Sequence, residues 1–384
     1  MTKLSRLTKL AFAPEATSGT YLAPSFGLPF DKADYEDVIT ELRDESYRNN
    51  DTVLQGLYPG AAHSTWSIDV LAYPDLMGHW LRAMIGPDTV TAGVSTTLAA
   101  AVAATGAVSI STTASIPAGS TIRIGTGTLA EYAITGAPTG AGPYTIPITS
   151  PTGGLTKTHL SGATVVSAST HTFKQDGGAA KRTFSLSVND TTNAVRGYSW
   201  ATLSDLALKI DPKGAVSCSL QFVAMPGVEQ ADFTPSYVDQ PPILGWQWAM
   251  TNAGAASTRG LTLDYTIKRA VEPVHGSTGV QAPREIFAGA LTSEFSYSAV
   301  FENRVDLELY ERYRQMPTVA TLTQPVHLGG CSLALTMSKS GYTKGTRDLS
   351  NAYVQAAFSG SGIYNATDGG AIAAELKNFV TAPY

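Results

Sequence analysis

The chain has 384 residues, of which 43% are hydrophobic and 9% aromatic, so it is long enough to bury the cores of two or three domains. Only 15% of the residues are charged, against roughly 25% in an average soluble protein, and Gly, Ser, Thr and Ala replace them. This bias favours strands, turns and surface that other subunits cover. The formal net charge of −5 argues against a general nucleic-acid binder, which needs a basic face.

Targeting signals and cysteine motifs are not evident. Lys3, Arg6 and Lys9 are followed by no apolar run suited to a signal peptide, and no stretch approaches the roughly 18 apolar residues of a membrane span. We therefore expect no membrane span and a protein made and used in the cytoplasm. Cys218 and Cys331 form neither a CxxC pair nor a zinc pattern, and Cys218 lies on the apolar side of an alternation, as a small buried side chain would.

Strand-like alternation of apolar and polar residues dominates the chain. It is clearest at 184–188, 216–222, 261–267 and 295–301. Strands of this type bury one face and expose the other, as in antiparallel sandwiches and barrels.

Helices are predicted at few places. Residues 74–85 begin with a proline and carry an apolar stripe, and residues 303–315 carry a second stripe. Residues 371–379 are expected to form a short third helix. The side chains expected to pack on the core are Leu76, Met77, Trp80, Leu81, Ile85, Val305, Leu309 and Tyr313.

The first two helices follow similar strands, at 63–70 and 293–300, which indicates a tandem strand–helix–strand repeat. The alternative is two unrelated β elements that each need a covering helix. Between them, residues 90–168 contain only Arg123, Glu131 and Lys157 as charges, with short strands between Gly and Pro turns. We interpret this segment as an inserted β module, with a long disordered loop as the alternative.

The predicted fold is therefore all-β with a few short helices, built from tandem sandwich or barrel domains plus a small inserted β domain. The first domain comprises 1–87 and 169–228, the module 88–168, and the second domain 229–384.

No sequence pattern predicts catalysis, a cofactor or a metal. The six histidines show no metal-binding spacing, and no phosphate-binding loop or nucleophile elbow is present. His79 lies beside Trp80 on the first helix and is expected to be packed rather than reactive. The sequence thus nominates no catalytic, cofactor-binding or metal site.

The densest charge run lies at 31–48 and lacks the central glycine of a calcium loop. We expect residues 31–60 to form a solvated loop that becomes ordered only in an assembly. The residues of this run are Asp31, Asp34, Glu36, Asp37, Glu41, Arg43, Asp44, Glu45 and Arg48.

Several segments, in order, resemble the tail tube (major tail) proteins of tailed bacteriophages. Residues 9–20 contain Glu15, Gly19 and Thr20 in the E-x-x-x-G-T opening of that family, and residues 73–86 are similar to its helix. The paired strands that follow in the family resemble 171–173, 183–188 and 201–224. The similarity covers 1–86 and 167–384, and the module, with its I-P-x-G strand start at residue 116, departs from the plain tube pattern.

The resemblance implies a non-enzymatic subunit whose rings stack into a tube through which DNA leaves the capsid. Its implied partners are copies of itself, tape measure protein, and tail terminator or tip proteins, and DNA passes without specific binding. The ring would contain three two-barrel chains or, alternatively, six chains. The location is the virion tail, assembled in the host cytoplasm. The acidic run would then reach an adjacent ring or line the lumen, and the module would face outward.

Two other functions stay open at the level of sequence. One is a carbohydrate-binding or adhesin protein in which 88–168 is the binder. The other is a hydrolase on a β scaffold, for which the sequence offers no catalytic residue.

Overall fold

A computed structural model describes residues 5–49, 51–104, 106–190, 195–302, 304–311, 315–350 and 352–384. The protein is 53% strand and 7% helix, and its large sheets are antiparallel, which confirms the predicted all-β class.

Strands make up most elements of the first two thirds of the chain. Before the module come β1 (Lys9–Pro14), β2 (Phe26–Gly27), β3 (Lys32–Asp44), β4 (Gly56–Leu71), α1 (Pro74–Met84) and β5 (Asp88–Thr91). The module contains β6 (Ser95–Thr97), β7 (Ser109–Thr112), β8 (Thr121–Ile124), β9 (Glu131–Thr135), β10 (Tyr144–Thr149) and β11 (Thr164–Ser167). The next strands are β12 (Ser169–Phe173), β13 (Phe184–Asn189), β14 (Val195–Ile210), β15 (Ser217–Ala224) and β16 (Val228–Gln230).

The last part contains β17 (Trp248–Asn252), β18 (Ala255–Ser257), β19 (Gly260–Val274), β20 (Glu285–Val300), α2 (Val305–Glu311), β21 (Met316–Thr323), β22 (Ser332–Asp348), β23 (Gln355–Gly362) and β24 (Ala373–Asn378). Short 3-10 turns lie at Ser5–Leu7, Gly127–Leu129, Gly245–Gln247 and Val326–Leu328.

The module forms its own six-stranded sheet, in the order β6-β11-β8-β9-β10-β7, around its own apolar cluster. Its two ends meet, because the Ser167 N–H donates to the Val94 carbonyl at 2.9 Å. Strand β5 pairs instead with β12 of the main sheet. The predicted module boundary at residue 88 therefore coincides with the start of a main-sheet strand.

The rest of the chain contains the same strand order twice. Hydrogen-bonded neighbours run β1-β13-β14-β15-β4-β3 in the first half and β17-β21-β22-β23-β20-β19 in the second. Helix α1 follows β4, and α2 follows β20 at the corresponding place. The two halves thus have one topology.

Two bulges align the halves residue by residue. The β14–β15 register shifts between Leu203 and Asp205, and the β22–β23 register shifts between Tyr342 and Lys344. The β3–β4 register shifts between residues 39 and 41, and the β19–β20 register between residues 269 and 271. Bulges are specific features of a strand pair, so their recurrence at matching positions supports the topological repeat.

The halves are joined through their sheets. Residues 205–210 of β14 pair with 263–268 of β19, which makes one continuous antiparallel sheet, β3-β4-β15-β14-β19-β20-β23-β22. We call the β14–β19 pairing the joint. The C-terminal strand β24 also crosses back, because it pairs with both β12 and β22.

Helix α1 packs on the core of the first half. Pro74 stands at its start, where the missing N–H costs no helical hydrogen bond. Trp80 lies 4.8 Å from Phe12 and 5.4 Å from Phe184 between ring centroids. The buried residues of the predicted stripe are Leu76, Met77, Trp80, Leu81 and Ile85. For the second stripe, Tyr313 and the side chains of Val305 and Leu309 lie outside the described residues.

One helix prediction needs correction. Residues 371–379 were expected to be helical, but 373–378 form β24, because pairing with strands on both sides outweighs the helix preference of Ala, Glu, Leu and Lys. Of the helix expected over 303–315, residues 305–311 form α2, and β21 begins at Met316. Residues 303 and 312–314 lie outside the described residues.

Candidate assembly surfaces

The predicted acidic loop is a long β-hairpin. Residues 32–44 form β3 and pair with β4, so residues 31–60 are largely extended strand and not a loop. Asp34, Glu36, Asp37, Glu41, Arg43 and Asp44 lie on β3, Asp31 immediately precedes it, and Glu45 and Arg48 lie in the connection to β4. We call residues 39–62, beyond the bulge, the first arm.

The sequence did not predict strand β3, because its residues do not separate into a buried and an exposed face. From Ile39 to Arg43 every residue of the first arm is exposed. Alternation is visible only where one face of a strand is buried. The acidic run therefore reads like a solvated loop although its backbone is paired.

Charges on β3 and the turn are partly neutralised locally. Lys32 lies 2.5 Å from Asp34, and Arg196 of β14 lies 3.0 Å from Asp37. At the turn, Arg48 pairs with Asp44. Hydrogen bonds from Ser46 lower the pKa of Asp44. The segment is thus polar without being a uniform negative patch.

Apolar side chains are also exposed on this hairpin. Leu57 is 55% exposed and Tyr58 58%. The other large apolar residues exposed between positions 35 and 54 are Tyr35, Ile39, Leu42, Tyr47, Val53 and Leu54. Concentrated exposure of this kind marks a surface that a partner covers.

The second hairpin, β19–β20, has an equivalent extension, residues 269–291, which we call the second arm. Its tip rests on the first arm, since the Ala62 N–H donates to the Gln281 carbonyl at 2.9 Å and the Gln281 amide donates to the Pro59 carbonyl at 3.2 Å. His63 lies beside His275, and burial lowers the pKa of His63. The arms therefore already form one contact between repeated units within a chain.

The continuous sheet has one core-facing side and one polar side. Outward residues on the polar side are mostly Ser, Thr, Gln and Ala, such as Ser219, Thr266 and Ser359. Its carboxylates outnumber its lysines in the described strands. The carboxylates are Asp34, Glu36, Asp69, Asp205, Asp264, Glu294 and Asp348, and the lysines are Lys32, Lys209, Lys268 and Lys344. We call this side the polar face.

The E-x-x-x-G motif has a structural explanation. The buried Glu15 carboxylate accepts hydrogen bonds from the Gly19 N–H at 2.8 Å, the Trp200 N–H at 2.8 Å, and the hydroxyls of Thr183 at 2.7 Å and Ser185 at 2.9 Å. Gly19 has φ +84°, and a Cβ there would lie 2.5 Å from the Trp200 ring. The motif thus ties the first turn to β13 and β14.

Three further features of the described part of the chain concern metal-binding clusters, membrane helices and the predicted packing of His79. No group of three or more His, Cys, Asp or Glu residues there could hold a metal ion. No helix among the described residues is both long and apolar enough to cross a membrane. His79 is packed against Phe12 and Phe26, and burial lowers its pKa to about 3.

Comparison with known proteins agrees with this arrangement. A family model described as phage tail tube protein matches residues 5–324, a range that includes the Glu15 turn, both arms and both helices. The chain belongs to the phage tail tube protein family. Family membership makes this tail tube protein a structural component of the phage tail. The search of curated proteins found no match.

Proposed function

We propose that this tail tube protein forms rings that stack into a hollow tube, through which DNA passes to the host cell. The observation that carries the proposal is the duplicated strand order, joined edge to edge into one sheet. A chain that already joins two like units in this way can add further units by the same contact, and a heterologous contact that closes gives a ring. Two units per chain favour a ring of three chains, with a ring of six chains as the alternative.

The polar face would line the lumen in such a ring. DNA carries dense negative charge, so a passage lined by neutral and acidic side chains does not retain it. The Ser and Thr content of this face and its excess of carboxylates, such as Asp69 and Glu294, suit that role. We therefore expect a lumen of neutral to negative potential.

The arms would make the contacts between stacked rings. Their apolar residues, among them Leu42 and Leu57, are not covered by the described part of the chain, and a partner would bury them. The charged residues of the acidic run beyond the bulge lie on the first arm and would set the position of one ring on the next. They are Glu41, Arg43, Asp44, Glu45 and Arg48.

The module would face outward as a separate domain inserted into the first tube unit. We place its limits at 94–167, because β5 pairs within the main sheet, and the two tube units at 1–93 with 168–228 and at 229–384. Tape measure and tail terminator or tip proteins would complete the tail, and assembly would take place in the host cytoplasm.

Electron microscopy of the purified protein tests the proposal. We expect rings or tubes in the wild type, and rings that no longer stack when Leu42→Ser and Leu57→Ser are combined. The matched control is Leu160→Ser, which changes an exposed leucine of the module, 72% exposed, and should leave stacking unchanged. A wild-type protein that stays monomeric at every concentration would contradict the proposal.

A further inference from the structure

The joint within the chain shows how one repeated unit contacts another. β14 is paired on both edges at this place, with β15 on one side and β19 on the other. Lys268 of β19 also lies 3.8 Å from Asp205 of β14. The second unit thus contributes its outer hairpin strand, and the first unit contributes the part of β14 that follows its bulge.

The equivalent edges at the two ends of the continuous sheet are open among the described residues. β3, the equivalent of β19, pairs with β4, and no strand in the described part of the chain pairs with its other edge. Residues 344–347 of β22, the equivalent of 205–208 in β14, pair with β23 on one edge, and no described strand pairs with their other edge. Open edges of this kind invite another chain to add a strand.

We infer that β3 of one chain pairs antiparallel with β22 of a second copy, in the register of the joint. The inference rests on the proposed ring and specifies its interface. When the two halves are aligned at their bulges, Asp205 is equivalent to Lys344, and residues 269 and 271 are equivalent to residues 39 and 41. Applied to the joint, these equivalences place Thr346 opposite Glu36 and Lys344 opposite Val38 of the partner copy.

Charge supports this pairing. The open end of β22 carries Lys344, and Glu36 lies on β3 of the opposing copy. In the inferred register they are diagonal neighbours on the polar face, within reach of long side chains. Asp34 would lie opposite Asp348, but Asp34 is already paired with Lys32 at 2.5 Å.

The same equivalence between the two halves also predicts a contact between the arms of neighbouring copies. Within the chain, the Gln281 carbonyl at the tip of the second arm accepts from the Ala62 N–H of the first arm. The equivalent positions are Asp51, at the tip of the first arm, and Leu291, in the second arm. The tip of the first arm would therefore lie on the second arm of the neighbouring copy, which covers exposed residues such as Val53.

Disulfide crosslinking between two single variants tests the register. Directly opposite residues on paired antiparallel strands have Cα atoms about 4.5–5.5 Å apart, which lies within the Cα–Cα range of a disulfide. The native thiols do not interfere, because Cys218 and Cys331 are buried and burial raises the pKa of both. We would mix Glu36→Cys chains with Thr346→Cys chains, assemble them and oxidise.

The expected product is a covalent dimer that contains one chain of each variant. The matched control replaces Thr346→Cys by Thr343→Cys, an exposed position on the same strand about 10 Å away, and should give at least tenfold less dimer. The double variant Glu36→Cys/Thr346→Cys should give a ladder of disulfide-linked oligomers on a denaturing gel, and the largest should contain as many chains as the ring.

Assembly and crosslinking separate the inference from the proposed function. Tubes that form without the mixed dimer would overturn the β3–β22 pairing and leave the tube function intact, whereas a wild type without rings or tubes would contradict the function itself. If the cysteine variants do not assemble, charge reversal replaces them. Lys344→Glu should slow assembly about fivefold, and adding Glu36→Lys should restore it. No restoration would overturn the pairing.

Discussion

Glu15 shows how much a single buried side chain organises the first half of the fold. The sequence singled out Glu15 and Gly19 as a family motif, but not their role. That role depends on Trp200, which is remote in sequence and becomes a neighbour only when β14 folds back onto the turn. Local patterns predicted the strands on either side, whereas this contact required the tertiary structure.

Replacing Glu15 by Ala should destabilise the protein by about 3 kcal/mol, because the N–H groups of Gly19 and Trp200 lose their buried acceptor. Urea unfolding of the purified monomer measures the loss. The control is Glu36→Ala, which removes an exposed carboxylate and should change the free energy of unfolding by less than about 0.5 kcal/mol. Equal losses in the two variants would contradict the assigned role of Glu15.

His79 gives the fold a sensitivity to acid. Burial lowers its pKa from 6.5 to about 3, so between these values the unfolded chain binds a proton that the folded chain does not. Stability from this group is therefore present above pH 6.5 and is lost as the pH falls, by up to about 1.4 kcal/mol per pH unit. Burial of Asp75 raises its pKa to about 6 and acts in the opposite direction.

A His79→Phe variant should remove the histidine contribution and leave that of Asp75 in place. We expect its free energy of unfolding to fall less than that of the wild type between pH 6.5 and 4.5, as measured by urea unfolding at a series of pH values. Parallel curves for the two proteins would show that folding does not lower the pKa of His79.

At the scale of elements, the sequence predicted what one-sided burial makes visible. Strands such as β15 and β19 alternate clearly because one face lies in the core. The first arm does not alternate, since neither face of residues 39–43 is buried, and β24 consists of helix-forming residues that two neighbouring strands hold extended. Both errors therefore lie where contacts beyond the local sequence decide the structure.

The module provides a test at this scale. Deleting 94–167 and joining Gly93 to Ala168 should leave a protein that still forms tubes, because the ends of the module are adjacent and β5 is retained. We expect the unfolding midpoint to fall by a few degrees, since Phe379 loses its contacts with Tyr132, at 5.7 Å, and with Arg123, at 5.3 Å.

A matched deletion of 88–168 should lower the unfolding midpoint further, because it also removes Asp88. That carboxylate accepts hydrogen bonds from Arg82 at 3.1 Å and from His171 at 2.8 Å. Electron microscopy and thermal unfolding of both deletions provide the comparison. A folded 94–167 deletion that forms no tubes would contradict an outward, dispensable module.

At the scale of the whole molecule, the charge of the polar face can be changed without disturbing the core. Ser219→Arg combined with Ser359→Arg should leave tubes intact and make them retain short duplex DNA at low salt, because arginine in the lumen binds phosphates. Co-sedimentation of DNA with tubes measures retention, and Ser219→Gln with Ser359→Gln is the control of similar polarity. Wild-type tubes that already retain DNA would argue against a neutral to acidic lumen.

The duplicated topology is the feature of the molecule that bears most directly on the number of chains in a ring. The sequence suggested the repeat from two strand–helix segments, and the structure extends the similarity to a complete strand order with two matching bulges. Residue identity between the halves is low, so sequence alone could not supply this alignment. A chain with two units needs only three copies for a ring of six units, and only one unit in each chain carries the module.

The symmetry of a tube cross-section in a cryo-EM reconstruction tests this account most directly. We predict six β units around the lumen, built from three chains, with three module densities on the outer surface. Six module densities in one ring, which would require six chains, would contradict the account of two tube units in each chain.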